Sequence, residues 1–222
     1  MAVSTQRSKS TTTPPPGEIR VTWNAKYKPH LCCAEDTLIP VLSGVFVSPN
    51  RLAAANGFIL VSVPCTVEGA PSDWKGAIIP RDLFGLKQPT STGTITVTDT
   101  SASTYAVLAG GLVAKVSVNL IDGDFPNYQS VFDKAIKGTN FEPTSQIAFD
   151  LSLMSRVEKA MGEKNGMRVL PTTGGAGAEG PLICVPYGDR DAIGLVMPMR
   201  SVGTSSDGFS ADELLKRLTV PS

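Results

Sequence analysis

The chain has 222 residues, 41% of them hydrophobic, with 20 basic side chains against 20 acidic and a single histidine, which is a globular composition. A chain of this length buries about 70% of its unfolded surface without disulfide staples, and zero net charge excludes a protein that coats nucleic acid by bulk electrostatics while leaving room for a local basic face. No apolar run approaches the roughly 18–20 residues of a membrane span and no apolar signal core opens the chain, so a soluble cytoplasmic protein is expected.

Residues 1–17, rich in Ser and Thr with three consecutive prolines, read as a disordered leader. From residue 18 one order of signals recurs three times: a short strand, a brief helix, then two or three strands separated by turn residues. In the first pass, residues 18–23 place Ile19, Val21 and Trp23 on one face. A helix is expected over 25–36, shortened or broken by Pro29. Strands follow at 43–47, 51–55 and 58–64, and Asn56-Gly57 is a strong hairpin signal. The second pass predicts a strand at 76–79, a short helix over 81–87, and β-branched strands at 94–98, 104–108 and 112–119.

Mixed charge, Gly138 and Pro143 mark residues 133–145 as a linker between a domain at 18–132 and a partial domain at 146–200. The third pass has a strand at 146–149 and a helix over 151–161 with Leu153, Met154, Val157, Ala160 and Met161 on a buried face. Strands at 167–170, 182–186 and 193–200 complete it, with a glycine-rich hairpin loop at 174–180. Residues 201–222 form a tail whose stretch 211–218 sets Leu214, Leu215 and Leu218 on one side.

Catalytic chemistry finds no footing in this pattern. Cys32, Cys33, Cys65 and Cys184 lack CxxC spacing and His30 has no second imidazole, so no metal site and no cofactor are expected, and the thiols read as small buried hydrophobes. No glycine-framed serine of the GxSxG kind exists for His30 to activate. The glycines from Gly174 lack the spacing of a phosphate loop. Asp189 and Asp191, flanking Arg190, read as solvated turn charges. The chain is not expected to be an enzyme.

Three segments carry a different signal. Residues 120–131 read Leu-Ile-Asp-Gly-Asp-Phe-Pro-Asn-Tyr-Gln-Ser-Val, residues 195–200 read Leu-Val-Met-Pro-Met-Arg, and residues 54–60 read Ala-Ala-Asn-Gly-Phe-Ile-Leu. With the weaker Ile-Pro-Val-Leu-Ser-Gly at 39–44, they resemble, in order, the bacterial DNA polymerase III beta subunit, the sliding clamp. The resemblance spans residues 18–200, with about 40 residues carrying it sharply. It implies an α+β DNA clamp fold of repeated β-α-β-β-β units, sheets outside and short helices inside, here in a shortened form with three units. A closed ring of twelve such units would need four copies. A reduced chain of this kind suits a phage or another mobile element, acting in the bacterial or host cytoplasm.

The resemblance also implies a function: a processivity factor that encircles duplex DNA as a homo-oligomer and tethers polymerase and clamp-loader peptides. The hole-facing helices would carry basic side chains that meet phosphates without reading bases, which nominates Lys26, Lys28, Arg81, Lys87, Arg156, Lys159 and Lys164. The walls of the family's hydrophobic peptide groove would here be Leu42, Gly57, Phe58, Ile59, Leu60, Pro126, Val131, Leu195, Val196, Met197, Pro198, Met199 and Arg200. Thioether side chains suit such a groove because they repack around different peptides. The family usually has a histidine-arginine pair after the glycine, where this chain has Phe58 and Ile59, so its groove would be more apolar. The rival reading is a clamp-fold interaction protein that captures replication peptides, or modulates a full-length clamp, without circling DNA.

Overall fold

Period-two alternation governs most of the chain, and strands dominate. The computed structural model describes residues 15, 17–35, 38–138, 149–164, 166–172, 180–189 and 191–199. Its strands are β1 (Ile19–Asn24), β2 (Gly44–Val47), β3 (Arg51–Ala55), β4 (Ile59–Pro64), β5 (Thr66–Glu68), β6 (Ala77–Pro80), β7 (Thr92–Val97), β8 (Ser101–Val107), β9 (Val113–Asn119), β10 (Met167–Leu170), β11 (Leu182–Pro186) and β12 (Ile193–Val196). Three α-helices accompany them: α1 (Arg81–Gly85), α2 (Tyr128–Lys137) and α3 (Leu151–Ala160).

The strands form two antiparallel sheets, one in the order β5-β1-β7-β8-β9 and the other in the order β10-β11-β12-β4-β3-β2-β6. Two of the repeating units interlock by exchanging their leading strands. β1, which opens the first unit, pairs with β7 of the second, and β6, which opens the second, pairs with β2 of the first. The third unit joins through its last strand: β12 runs antiparallel to β4, with Leu195 opposite Leu60 and Gly194 opposite Val61.

The seven-stranded sheet is covered on both faces, which explains why β4 is buried from Ile59 to Val63 instead of alternating with exposed residues. One face carries Leu52, Ala54, Val61, Val63, Leu182 and Val196 into the main core, shared with β1, β7, α1 and α3. The other carries Ala53, Leu60, Ile183 and Leu195 against Tyr128, Phe132 and Ala135 of α2. The period-two side-chain direction thus sorts neighbours on one strand into two cores.

Beside element ends that shift by one to three residues, as in β7, β8 and α1, four sequence expectations change. The helix expected over 25–36 is only a single 3-10 turn, Pro29–Cys32, because Pro29 lacks an N–H and can only begin a helix. Helix α2 occupies residues where a linker was expected to begin at 133. Asn127 caps it by accepting from the Ser130 N–H at 3.0 Å, and Tyr128, Phe132 and Ala135 recur at i, i+4 and i+7. Strand β12 ends at Val196, and the ladder stops short of Pro198, which has no donor. β5 is an addition, pairing Thr66 with Thr22 at the edge of the five-stranded sheet. The leader, the strand residues 146–148, most of the linker, the glycine-rich loop and the tail lie outside the described residues.

Candidate functional site

The hairpin between β3 and β4 builds one wall of an apolar groove. Gly57 sits at φ +92°, a left-handed value that favours glycine, and the Asn56 side chain accepts from the N–H groups of Phe58 and Ile59 at 2.9 and 3.0 Å. That turn thrusts Phe58 outward, 64% exposed. Its carbonyl accepts from the Met197 N–H at 2.8 Å, so the segment after β12 is pinned beside the hairpin.

The groove holds about 190 Å³ and is lined by Leu42, Ala55, Gly57, Phe58, Ile59, Leu60, Phe125, Pro126, Tyr128, Val131, Leu195 and Met197. Nine of the thirteen expected wall residues therefore converge here. Val196 does not, because alternation along β12 turns it into the main core. Pro198 and Met199 lie outside the lining, although Met199 is 54% exposed nearby in sequence. Arg200 is outside the described residues. Ala55, Phe125 and Tyr128 are lining residues that sequence reasoning missed. The signal for Tyr128 was present in the i, i+4, i+7 pattern of α2. Phe125 stacks on Phe46 with ring centroids 5.2 Å apart and meets Tyr128 edge-on at 6.4 Å, so the groove floor is an aromatic layer resting on the sheet.

The seven basic candidates divide sharply. Arg156 donates to the carbonyls of Leu31 at 2.8 Å and Cys33 at 3.1 Å, tying α3 to the 3-10 turn. Arg81 donates to the Ala34 carbonyl at 3.3 Å. Lys26 pairs with Asp189 at 2.6 Å and lies over the Tyr27 ring, 4.8 Å from its centroid. These three cations hold segments of the chain together. Lys28, Lys87, Lys159 and Lys164 are exposed. Lys28 and Lys87 line one hollow of about 480 Å³ together with His30.

Asp189 is more than the solvated turn charge its sequence context suggests. Its side chain is only 13% exposed and also accepts from the Tyr27 hydroxyl. Burial opposes its ionisation, yet the hydrogen bonds from Lys26 and Tyr27, aided by the Lys26 charge, hold its carboxyl at about 2. Burial and that same carboxylate push the Tyr27 phenol upward. Burial, reinforced by Lys28 and Arg81, lowers His30 to about 4, and its Nδ1 is buried without a hydrogen-bond partner. Burial pushes Cys33, Cys65 and Cys184 up to about 12 and raises Cys32 as well, so the thiols are unreactive packing groups. Among the described residues, no three His, Cys, Asp or Glu side chains gather as metal ligands, and no helix is long and apolar enough to cross a membrane.

Known structures share this fold. A DnaN sliding clamp (DNA polymerase III subunit beta) from Bartonella birtlesii is 14% identical over 86% of this chain and 68% of that one, with a TM-score of 0.53. The chain has the sliding-clamp fold. A DNA polymerase sliding clamp from Pseudomonas aeruginosa is 13% identical over 90% of this chain and 70% of that one, also at 0.53. DNA polymerase III subunit beta from Borrelia burgdorferi, in complex with a natural product, is 15% identical over 83% and 64%, again at 0.53. No protein-family model and no curated protein matches the sequence. The clamp resemblance carried by residues 54–60, 120–131 and 195–200 is borne out at the level of fold, and those segments meet in space at the groove.

Proposed function

We propose that this clamp-fold chain works as a reduced sliding clamp, holding replication proteins on duplex DNA as a homo-oligomer in a bacterial cytoplasm, its own or a phage host's. It does no chemistry. The observation that carries the reading is the groove: twelve residues from four separate parts of the chain enclose an apolar slot whose rim residues Phe58, Val131 and Met197 are 64, 44 and 44% exposed. An exposed apolar slot of this kind suits short linear peptides with adjacent large apolar side chains, of the sort carried by polymerases and clamp loaders. On the DNA side the reading rests on Lys28, Lys87, Lys159 and Lys164, which are free to meet phosphates of any sequence.

One observation favours the rival, an interaction protein that captures such peptides without encircling DNA. Lys26, Arg81 and Arg156 are already engaged within the chain, which thins the basic surface. Two measurements test the proposal, and the second separates it from its rival. Fluorescence anisotropy with labelled peptides bearing a Leu-Phe pair tests the groove, and saturable binding lost on replacing both residues by alanine is expected. Binding to a circular duplex, compared before and after linearisation, tests encirclement: retention on circles alone supports the clamp, and no retention on either leaves the peptide-binding protein.

A further inference from the structure

The strand that completes the groove also delivers the chain to its rim. β12 brings Leu195 into the lining, Met197 follows with its N–H donated to the Phe58 carbonyl, and Met199 is exposed two residues on. Residues 200–222 continue from that rim. Their stretch 200–213 is rich in Ser and Gly, and then come Leu214, Leu215, Lys216 and Arg217, an adjacent pair of large apolar side chains followed by two cations. The groove has a charged neighbour that suits this order. Phe125 lines both the groove and an adjoining hollow of about 570 Å³, whose charged lining is Asp99, Asp122 and Asp124 against Lys75. The loop carrying two of these carboxylates is anchored at its start, where the Leu120 and Ile121 N–H groups donate to the carbonyls of Thr100 and Ile78 at 3.0 and 2.9 Å. Among the described residues none of the three carboxylates forms an ion pair.

We infer that the segment 214–217 of the same copy folds back on the groove, Leu214 and Leu215 seated against Phe58, Val131 and Met197, and Lys216 and Arg217 meeting the carboxylates beyond Phe125. The chain's own segment is the occupant because sequence order, charge and tether agree. An apolar slot followed by an acidic hollow is complementary to an apolar pair followed by two cations. The stretch 200–213 reaches at most about 50 Å when extended, ample for a return to the rim it has just left. Tethering also supplies a local concentration on the order of millimolar, so a contact too weak to form between separate molecules is populated within one. The inference rests on the peptide-groove reading above and adds a competitor to it: a partner peptide binds by displacing the segment, and its apparent affinity falls by the fraction of molecules in which the groove is closed.

Methyl resonances of the methionines in the full chain test the inference, because Met197 lines the groove and reports its occupancy with no peptide added. Leu214→Ser with Leu215→Ser is expected to move the Met197 signal, to leave that of the buried Met161 in place, and to tighten binding of a labelled Leu-Phe peptide by about 10-fold in anisotropy. Lys216→Glu with Arg217→Glu is expected to move the Met197 signal in the same direction, and adding Asp122→Lys with Asp124→Lys to that variant is expected to restore it, since the charges are then exchanged. The wild-type signal is expected to hold its position from low to high micromolar. A Met197 signal indifferent to the Leu214 and Leu215 substitutions overturns the inference; if the Leu-Phe peptide still shifts that signal the peptide groove stands, and if nothing shifts it both readings fall. A wild-type signal that moves to the docked position only as concentration rises assigns the segment to a second copy and overturns the contact within one chain.

Discussion

Phe58 occupies the point where a turn and a strand end are fastened together, and its ring is free because its backbone is not. With the Asn56 side chain holding its N–H and the Met197 N–H on its carbonyl, removing the ring leaves the backbone bonds in place. Phe58→Ala is therefore expected to lower the affinity for an apolar peptide by about 10-fold or more while changing stability by less than about 0.5 kcal/mol, since the ring is mostly in water already. Peptide anisotropy and a urea melt on the same protein check both halves. His30 gives a residue-scale pH dependence. Its folded value, about 4, lies below the ordinary 6.5, so the unfolded chain binds the extra proton first as pH falls. The His30 contribution is complete above pH 6.5 and is lost as pH falls through the window down to about 4. His30→Phe, which fills the same half-buried site without a titratable ring, is expected to flatten the stability profile between those values, read by chemical denaturation at half-unit steps. Asp189 acts further into acid: held at about 2 against an ordinary 3.8, it keeps its contribution above 3.8 and loses it as pH falls through 2.

Helix α3 reaches the sheet at one small residue. A Cβ built on Gly194 of β12 would lie 2.4 Å from Val157 Cγ1, so the helix can sit this close only because the strand has no side chain there. Gly194→Ala is expected to cost about 1–3 kcal/mol by forcing α3 off the sheet, measured as a fall in the denaturation midpoint with an unchanged m-value. Most strands were legible because burial of one face writes period-two alternation into the chain, as in Ile19, Val21 and Trp23 of β1. The ends of β7 and β8 were not, since Thr and Ser tolerate strand and turn alike, and β5, three residues long, is too short to show a period. Helix α2 was legible in Tyr128, Phe132 and Ala135 but was masked by the mixed charge and glycine that follow it. The groove was legible only through the resemblance of its segments to a known family. Local pattern places Leu60 and Leu195 on strands but cannot say that β4 and β12 lie side by side, or that Tyr128 folds over both. The basic candidates were legible only as positions: spacing identifies a cation on a helix, while only the fold shows that Arg156 spends its guanidinium on the Leu31 and Cys33 carbonyls.

At the scale of the whole molecule, edges decide what assembly is open to the chain. Inside the chain the units meet in two ways: by reciprocal exchange, as β1 with β7 and β2 with β6, and by last strand against last strand, as β4 with β12. Among the described residues β9, itself the last strand of a unit, ends the five-stranded sheet. In the homo-oligomer proposed above, two copies joined β9 to β9 would reuse the second kind of junction by an isologous contact. Val116 is the central residue of β9, so in a twofold pair centred on it the two Lys115 side chains would be diagonal neighbours on one face, and the junction is expected to be sensitive to ionic strength. Lys115→Thr removes the like-charge approach and raises strand propensity. In a clamp that encircles DNA, this variant is expected to raise the share of the larger assembly in light scattering and to lengthen retention on circular duplex relative to wild type. A variant whose solution mass is unchanged and that is shed from circles as fast as from linear duplex would instead mark a protein that captures replication peptides without enclosing DNA.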